Sequence, residues 1–204
     1  MLRKFNNCIF YYTNLGSSVS DGDREFKNCK FIGTAASNFA IQAAKNLTVE
    51  NCEFTNCARG INLINTACDE RPADRVIVIK NNVFNGITDE KAIIQIAYGK
   101  CSSKHSTHAN QTEAEKIQSE TQLTIEGNTF NGLGEGLGIV RVHDSIGTLQ
   151  ELTQEVVTEF VNNVTFKNNK VNSSISRNQY VIDDDGKFTE QGKNLVSQLL
   201  EKFN

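Results

Sequence analysis

Val49-Glu50-Asn51-Cys52-Glu53-Phe54 is one of six versions of a hexamer that the chain repeats. The others are Phe5–Phe10 (F-N-N-C-I-F), Phe26–Phe31 (F-K-N-C-K-F), Ile79–Phe84 (I-K-N-N-V-F), Ile125–Phe130 (I-E-G-N-T-F) and Phe166–Val171 (F-K-N-N-K-V). Each reads apolar, polar, Asn or Gly, Cys or Asn, any residue, apolar. The starts at 5, 26, 49, 79, 125 and 166 are unevenly spaced. One supersecondary unit therefore recurs with insertions of different length, which predicts a solenoid.

Leu47-Thr48-Val49, Ile77-Val78-Ile79, Leu123-Thr124-Ile125 and Val164-Thr165-Phe166 lead into the hexamer, and their period-two alternation points the first and third residue of each triplet inward. After an Asn- or Gly-containing turn comes a second strand: Ala40–Ala43, Gly60–Ile64, Ala92–Ile96, Gly138–Val142 and Gln179–Ile182. Aligned, these put Ile41, Ile61, Ile94, Val140 and Tyr180 in one inward column, and Ala43, Leu63, Ile96, Val142 and Ile182 in the next. The early steps of 21 and 23 residues are too short for strand-helix-strand crossovers but suit short strands and turns. The expected fold is all-β, a single-stranded right-handed parallel β-helix of about six turns.

The pattern φ-x-φ-x-N-[NC]-x-F, then N-G or T-N, then G-I-x-L resembles the right-handed parallel β-helix proteins of the pectate-lyase-like superfamily. The resemblance covers about residues 2–184. It implies a scaffold shared by polysaccharide lyases, glycoside hydrolases, epimerases, tailspikes and adhesins, so activity must be argued from a site.

Composition sets outer bounds. With 204 residues and 38% hydrophobic content the chain suits one elongated domain, residues 1–204. A formal charge of −3 gives no basic footprint for nucleic acid. No run is long and apolar enough to span a bilayer, and the start M-L-R-K-F-N-N lacks the apolar region of a signal peptide.

Stacking at about 4.8 Å should place Cys8, Cys29 and Cys52 in one column continued by Asn82, Asn128 and Asn169. Asn can hydrogen-bond along such a stack, and a thiol fills the same place as a small hydrophobe. Links of about Asn65–Asp74, Gly99–Gln122 and His143–Asn162 all leave at the same turn and should gather at one edge, where binding or catalysis is often housed. In the last, Leu149, Leu152, Val156, Val157 and Phe160 follow helical spacing. Thr189–Asn204 carries the stripe Leu195, Val196, Leu199, Leu200 and Phe203, which predicts a helix capping the coil. The opposite, N-terminal edge is expected to be open, paired in a homo-oligomer, or continued by a larger parent chain.

Three constellations suggest chemistry. On the last second strands, His143 aligns with Asp183 and Asp144 with Asp184, beside Arg141. Carboxylates on adjacent strands lie about 5 Å apart in backbone register, near the spacing of a retaining glycosidase pair. Asp144, Asp183 and Asp184 also suit Ca²⁺, which takes several oxygens. The resemblance implies lyase chemistry with an Arg base, for which Arg141 is the residue that carries over. The second constellation is an outward lane, Gln42, Asn62, Gln95 and Arg141, whose amides and guanidinium suit sugar hydroxyls and carboxylates. The third is Cys101, His105 and His108, with Cys68 at the same offset as Cys101 in the neighbouring repeat, read as free thiols, a Cys68–Cys101 disulfide or a zinc set. The expected function is a secreted or cell-surface polysaccharide-recognition module. The alternatives are a polysaccharide lyase or glycoside hydrolase with Arg141, His143, Asp144, Asp183 and Asp184 at its centre, and a structural or adhesin-like solenoid.

Overall fold

The computed structural model describes residues 2–13, 22–34, 39–43, 45–63, 75–88, 92–98, 121–133, 137–144, 153–182 and 190–203. These form three parallel sheets. The first runs, in spatial order, β1 (Arg3–Asn6), β3 (Arg24–Lys27), β6 (Leu47–Glu50), β9 (Val76–Lys80), β12 (Gln122–Glu126) and β15 (Val164–Lys167). The second runs β2 (Ile9–Thr13), β4 (Lys30–Thr34), β7 (Glu53–Thr55), β10 (Val83–Asn85), β13 (Thr129–Asn131) and β16 (Lys170–Asn172). The third holds β5 (Phe39–Ala43), β8 (Arg59–Leu63), β11 (Ala92–Tyr98), β14 (Gly138–Asp144) and β17 (Val181–Ile182). From β3 onward the described strands visit the three sheets in rotation, and each repeat pairs in register with the one before.

The hexamer is a corner. Val49 and Glu50 end β6, Asn51 turns, Cys52 follows, and Glu53 and Phe54 begin β7. The turning residues Asn7, Asn28, Asn51, Asn81 and Asn168 all have φ of 54–55°, and Gly127 takes the same place at 67°. This left-handed region costs most L-residues about 1–2 kcal/mol, and Asn tolerates it better than most residues with a side chain. At Gly127 a Cβ would also collide with the Asn81 side-chain oxygen. A strand the sequence reading did not separate, three residues long in β7, β10, β13 and β16, therefore follows each corner.

Alternation then builds the core. Phe10, Phe31, Phe54, Phe84 and Phe130 stack from repeat to repeat with ring centroids 4.9, 4.7, 4.6 and 5.2 Å apart. Leu47, Ile77, Leu123 and Val164 form one core column of the first sheet, and Val49, Ile79, Ile125 and Phe166 the next. Ile41, Ile61, Ile94 and Val140 form the expected column in the third. Its last member is Val181 rather than Tyr180, because Val140 pairs with Val181 and Arg141 with Ile182. A 3₁₀ turn at Arg177–Gln179, held by the Ser176 amide donating to Gln179 Oε1 at 3.0 Å, takes up the residues that the sequence alignment gave to the strand.

The column after the corner is as expected. Cys52 N donates to Asn82 Oδ1 at 2.8 Å, Asn82 N to Asn128 Oδ1 at 2.9 Å, and Asn128 N to Asn169 Oδ1 at 3.0 Å. The amides also donate backwards, Asn82 Nδ2 to Val49 O at 2.9 Å and Asn128 Nδ2 to Ile79 O at 3.0 Å. On the outer face of the first sheet, Lys27, Glu50, Lys80, Glu126 and Lys167 alternate in sign across paired strands.

Among the described residues, two α-helices lie at the last repeats. α1 (Gln154–Asn163) starts at Thr153, whose side chain accepts from the Val156 amide at 3.3 Å, and buries Val157, Phe160 and Val161. Leu149 and Leu152 lie outside the described residues. α2 (Glu190–Lys202) buries Leu195 and Leu199 and packs against β15, β17 and α1. Beyond its end, Phe203 sits 4.9 Å from the Phe166 ring and 5.3 Å from Tyr180. Lys202 Nζ donates to Val161 O and, at 2.7 Å, to Val164 O, which satisfies carbonyls at the end of α1. Among the described residues no helix is long and apolar enough to cross a membrane.

Candidate functional site

The outward lane of the third sheet is a true column. Gln42 pairs with Asn62, Asn62 with Gln95, and Gln95 with Arg141. Outward strand positions are ordinarily solvated, yet Asn62, Gln95 and Arg141 are only 8%, 7% and 5% exposed. Their neighbours on that face, Ala40, Ile93 and Ile139, are fully buried. Gln95 Nε2 donates to Asn62 Oδ1 at 3.2 Å, so the lane is bonded along its own length. The half-buried members are Gln42, at one end, and His143, two residues beyond Arg141 on β14.

His143 pairs with Ala97 and Asp144 with Tyr98 through the backbone. The Asp144 side chain, Asp183 and Asp184 lie outside what the structure describes. The pairing that is described is one residue off the expected alignment, since Ile182 rather than Val181 lies beside Arg141. Cys68, Cys101, His105 and His108 also fall outside the described residues. Among those described, no group of three or more His, Cys, Asp or Glu side chains is arranged to hold a metal ion.

Two buried arginines were not singled out from sequence. Arg24 stands in the first sheet above Leu47, in a column that is apolar from Leu47 onward, and donates from Nη1 to Gln42 O at 3.2 Å. Burial first, and Arg3 second, lower its pKa. Arg75, 1% exposed, donates from Nε to Thr121 Oγ1 at 3.2 Å. Arg24 opens β3, and Arg75 immediately precedes β9. The signal was their parity, two residues ahead of the core positions Phe26 and Ile77.

The second sheet presents a different outer face. Tyr11, Ile32, Thr55, Asn85, Asn131 and Asn172 share one outward column. Asn172 Nδ2 donates to Asn131 Oδ1 at 2.9 Å, Asn131 Nδ2 to Asn85 Oδ1 at 2.7 Å, and Asn85 Nδ2 to Glu53 Oε1 at 3.4 Å. Each primary amide keeps a second N–H and acceptor capacity beyond the ladder. Tyr11 is 64% exposed at the head of the column. The sequence signal was the recurrent N-G pair after Phe, read there only as a turn. Its first residue is an outward strand position, and only the second, Gly86 or Gly132, has positive φ.

Inside the corner column, burial pushes the Cys29 thiol up and Cys52 up to about 12, and outside it Cys57 up to about 11, which favours their protonated forms. Comparison of the chain with protein-family models, with curated proteins and with solved structures returns no match.

Proposed function

We propose that the three sheets are the faces of a right-handed parallel β-helix of the pectate-lyase-like kind, and that this scaffold is a polysaccharide-recognition module acting in a secreted or cell-surface setting. The observation that carries the reading is the outward column of the second sheet, exposed at Tyr11 and Asn172 and half-buried between them, with amides one strand apart from Asn85 onward and a tyrosine at its head. Strand spacing of about 4.8 Å is close to the length of one sugar unit in an extended chain, so successive amides meet successive hydroxyls. Tyr11 supplies an exposed aromatic face for a sugar ring to stack on. The lane Gln42, Asn62, Gln95 and Arg141 meets a polysaccharide through its half-buried ends, Gln42 and His143, with the His143 imidazole and the buried Arg141 charge behind it as the candidate groups for an acidic sugar.

A panel of neutral and acidic polysaccharides, with and without Ca²⁺, tests this by recording binding together with release of unsaturated or reducing ends. Binding without release is expected, and the Tyr11→Ala/Asn131→Leu double variant should weaken it at least about tenfold, or 1.4 kcal/mol. Undiminished binding by that variant removes the second-sheet face. Product release moves the reading to the enzyme alternative at Arg141, His143, Asp144, Asp183 and Asp184. Silence across the panel favours the structural solenoid.

A further inference from the structure

The Cys8–Cys29–Cys52 stretch of the corner column is weaker in hydrogen bonds than the Asn stretch that continues it. Asn82 accepts from Cys52 N at 2.8 Å and donates to Val49 O at 2.9 Å. Cys52 in the equivalent place accepts from Cys29 N at 3.4 Å, and its thiol reaches carbonyls Glu50 O and Phe26 O only at 3.4 and 3.5 Å. Three repeats thus forgo amide ladder bonds that three others make. What a thiol adds at that place is the capacity to join one repeat covalently to the next.

The geometry suits the first pair. Arg3–Asn6 pairs with Arg24–Lys27 before the corner and Ile9–Tyr11 with Lys30–Ile32 after it, at one constant offset, so Cys8 lies directly opposite Cys29. The Lys30 amide donates to Cys8 O at 2.9 Å, which closes the backbone between them. Adjacent strands are about 4.8 Å apart, inside the roughly 4.4–6.8 Å Cα window of a disulfide. The Cys29 thiol donates to Phe5 O, in the Cys8 repeat, at 3.5 Å, so it reaches toward that neighbouring repeat. Cys8 is half-buried, whereas Cys29 and Cys52 are buried, so Cys8 is the thiol of this column that a soluble reagent reaches first.

We propose that Cys8 and Cys29 are a thiol–disulfide pair, oxidised by a low-molecular-weight disulfide to a bond that joins the first two repeats. The Cys8 sulfur attacks the small disulfide, its S–S bond breaks and one small thiol leaves with the proton lost by Cys8. Cys29 then attacks the mixed disulfide, and a second small thiol leaves with the Cys29 proton. Two protein thiols become one disulfide, and one small disulfide becomes two thiols.

The experiment incubates the reduced full chain with oxidised glutathione, digests it with trypsin without reductant and maps the peptides by mass spectrometry. The expected product links Phe5–Arg24 to Asn28–Lys30, is absent from Cys8→Ser and is reversed by dithiothreitol. Thermal unfolding of the oxidised chain should move up by about 5 °C. A stable glutathione adduct at Cys8, a Cys29–Cys52 link, or all thiols remaining free would each overturn the proposal. Cys8→Ser, changing a half-buried residue, keeps the test clear of folding failure, and circular dichroism matching that of the reduced parent confirms it.

Discussion

Asn82 shows how much one residue of the corner column carries. It is fully buried, takes the Cys52 amide and returns a bond to Val49 O. Asn82→Ala leaves a buried N–H and a buried carbonyl without that partner, so urea unfolding should show a loss of about 3 kcal/mol. Asn172→Ala, at the exposed end of the second-sheet ladder, should cost no more than about 0.5 kcal/mol. Equal losses would mean the buried column is not the stronger device. The thiols give a pH signature. Unfolded Cys titrates near pH 8.5, whereas burial pushes the folded Cys52 thiol up to about 12. Between those values the unfolded chain binds fewer protons than the folded one, so stability present below about pH 8.5 falls as pH rises. Cys52→Ser should remove that thiol's share, up to about 1.4 kcal/mol per pH unit between about pH 9 and 11, in chemical denaturation under reductant. An unchanged slope would contradict the folded-state shift. The column was legible in the sequence because Asn, Cys and positive φ recur at fixed places in the hexamer. Tyr180 was misplaced because a 3₁₀ turn is invisible to alternation counted over four residues.

At the scale of elements, period-two patterning showed the first- and third-sheet strands and helical spacing showed both helices. The second sheet was harder to see, because its strands are mostly three residues long and begin inside the hexamer. The N-G pairs hid the amide ladder for the same reason, with one residue in the strand and the other in the turn. Charge alternation across strands was also unread, since its partners lie 23 to 46 residues apart in Lys27, Glu50, Lys80, Glu126 and Lys167. Glu126 stands between Lys80, at 3.0 Å, and Lys167 in the next strand. Glu126→Lys should lower stability by about 1 kcal/mol at low salt, because these groups are partly exposed. In about 1 M salt much of that loss should vanish. A loss independent of salt would point to packing instead.

At the scale of the whole molecule, the repeats form one core that continues through three sheets and is met at the last strands by α1 and α2. Leu199, fully buried on α2, ties that end together. Leu199→Ala should cost about 3 kcal/mol in denaturant unfolding, and a cost under about 1 kcal/mol would show that α2 contributes little to the fold's stability. The candidate lane was legible as a column, since alternation fixes which residues align. Its burial was not, because period-two alternation assigns outward strand positions to solvent. Function was less legible still, since the repeat encodes register and core, and the proposed ligand contacts rest on a few outward side chains. The polysaccharide reading is tested most directly by titrating an oligosaccharide chosen from the panel into ¹⁵N-labelled protein and following the side-chain amide signals. The account predicts that Asn85, Asn131 and Asn172 shift together with the Tyr11 backbone amide. Shifts confined to the surroundings of Arg141 and His143, with the second-sheet amides unmoved, would contradict it.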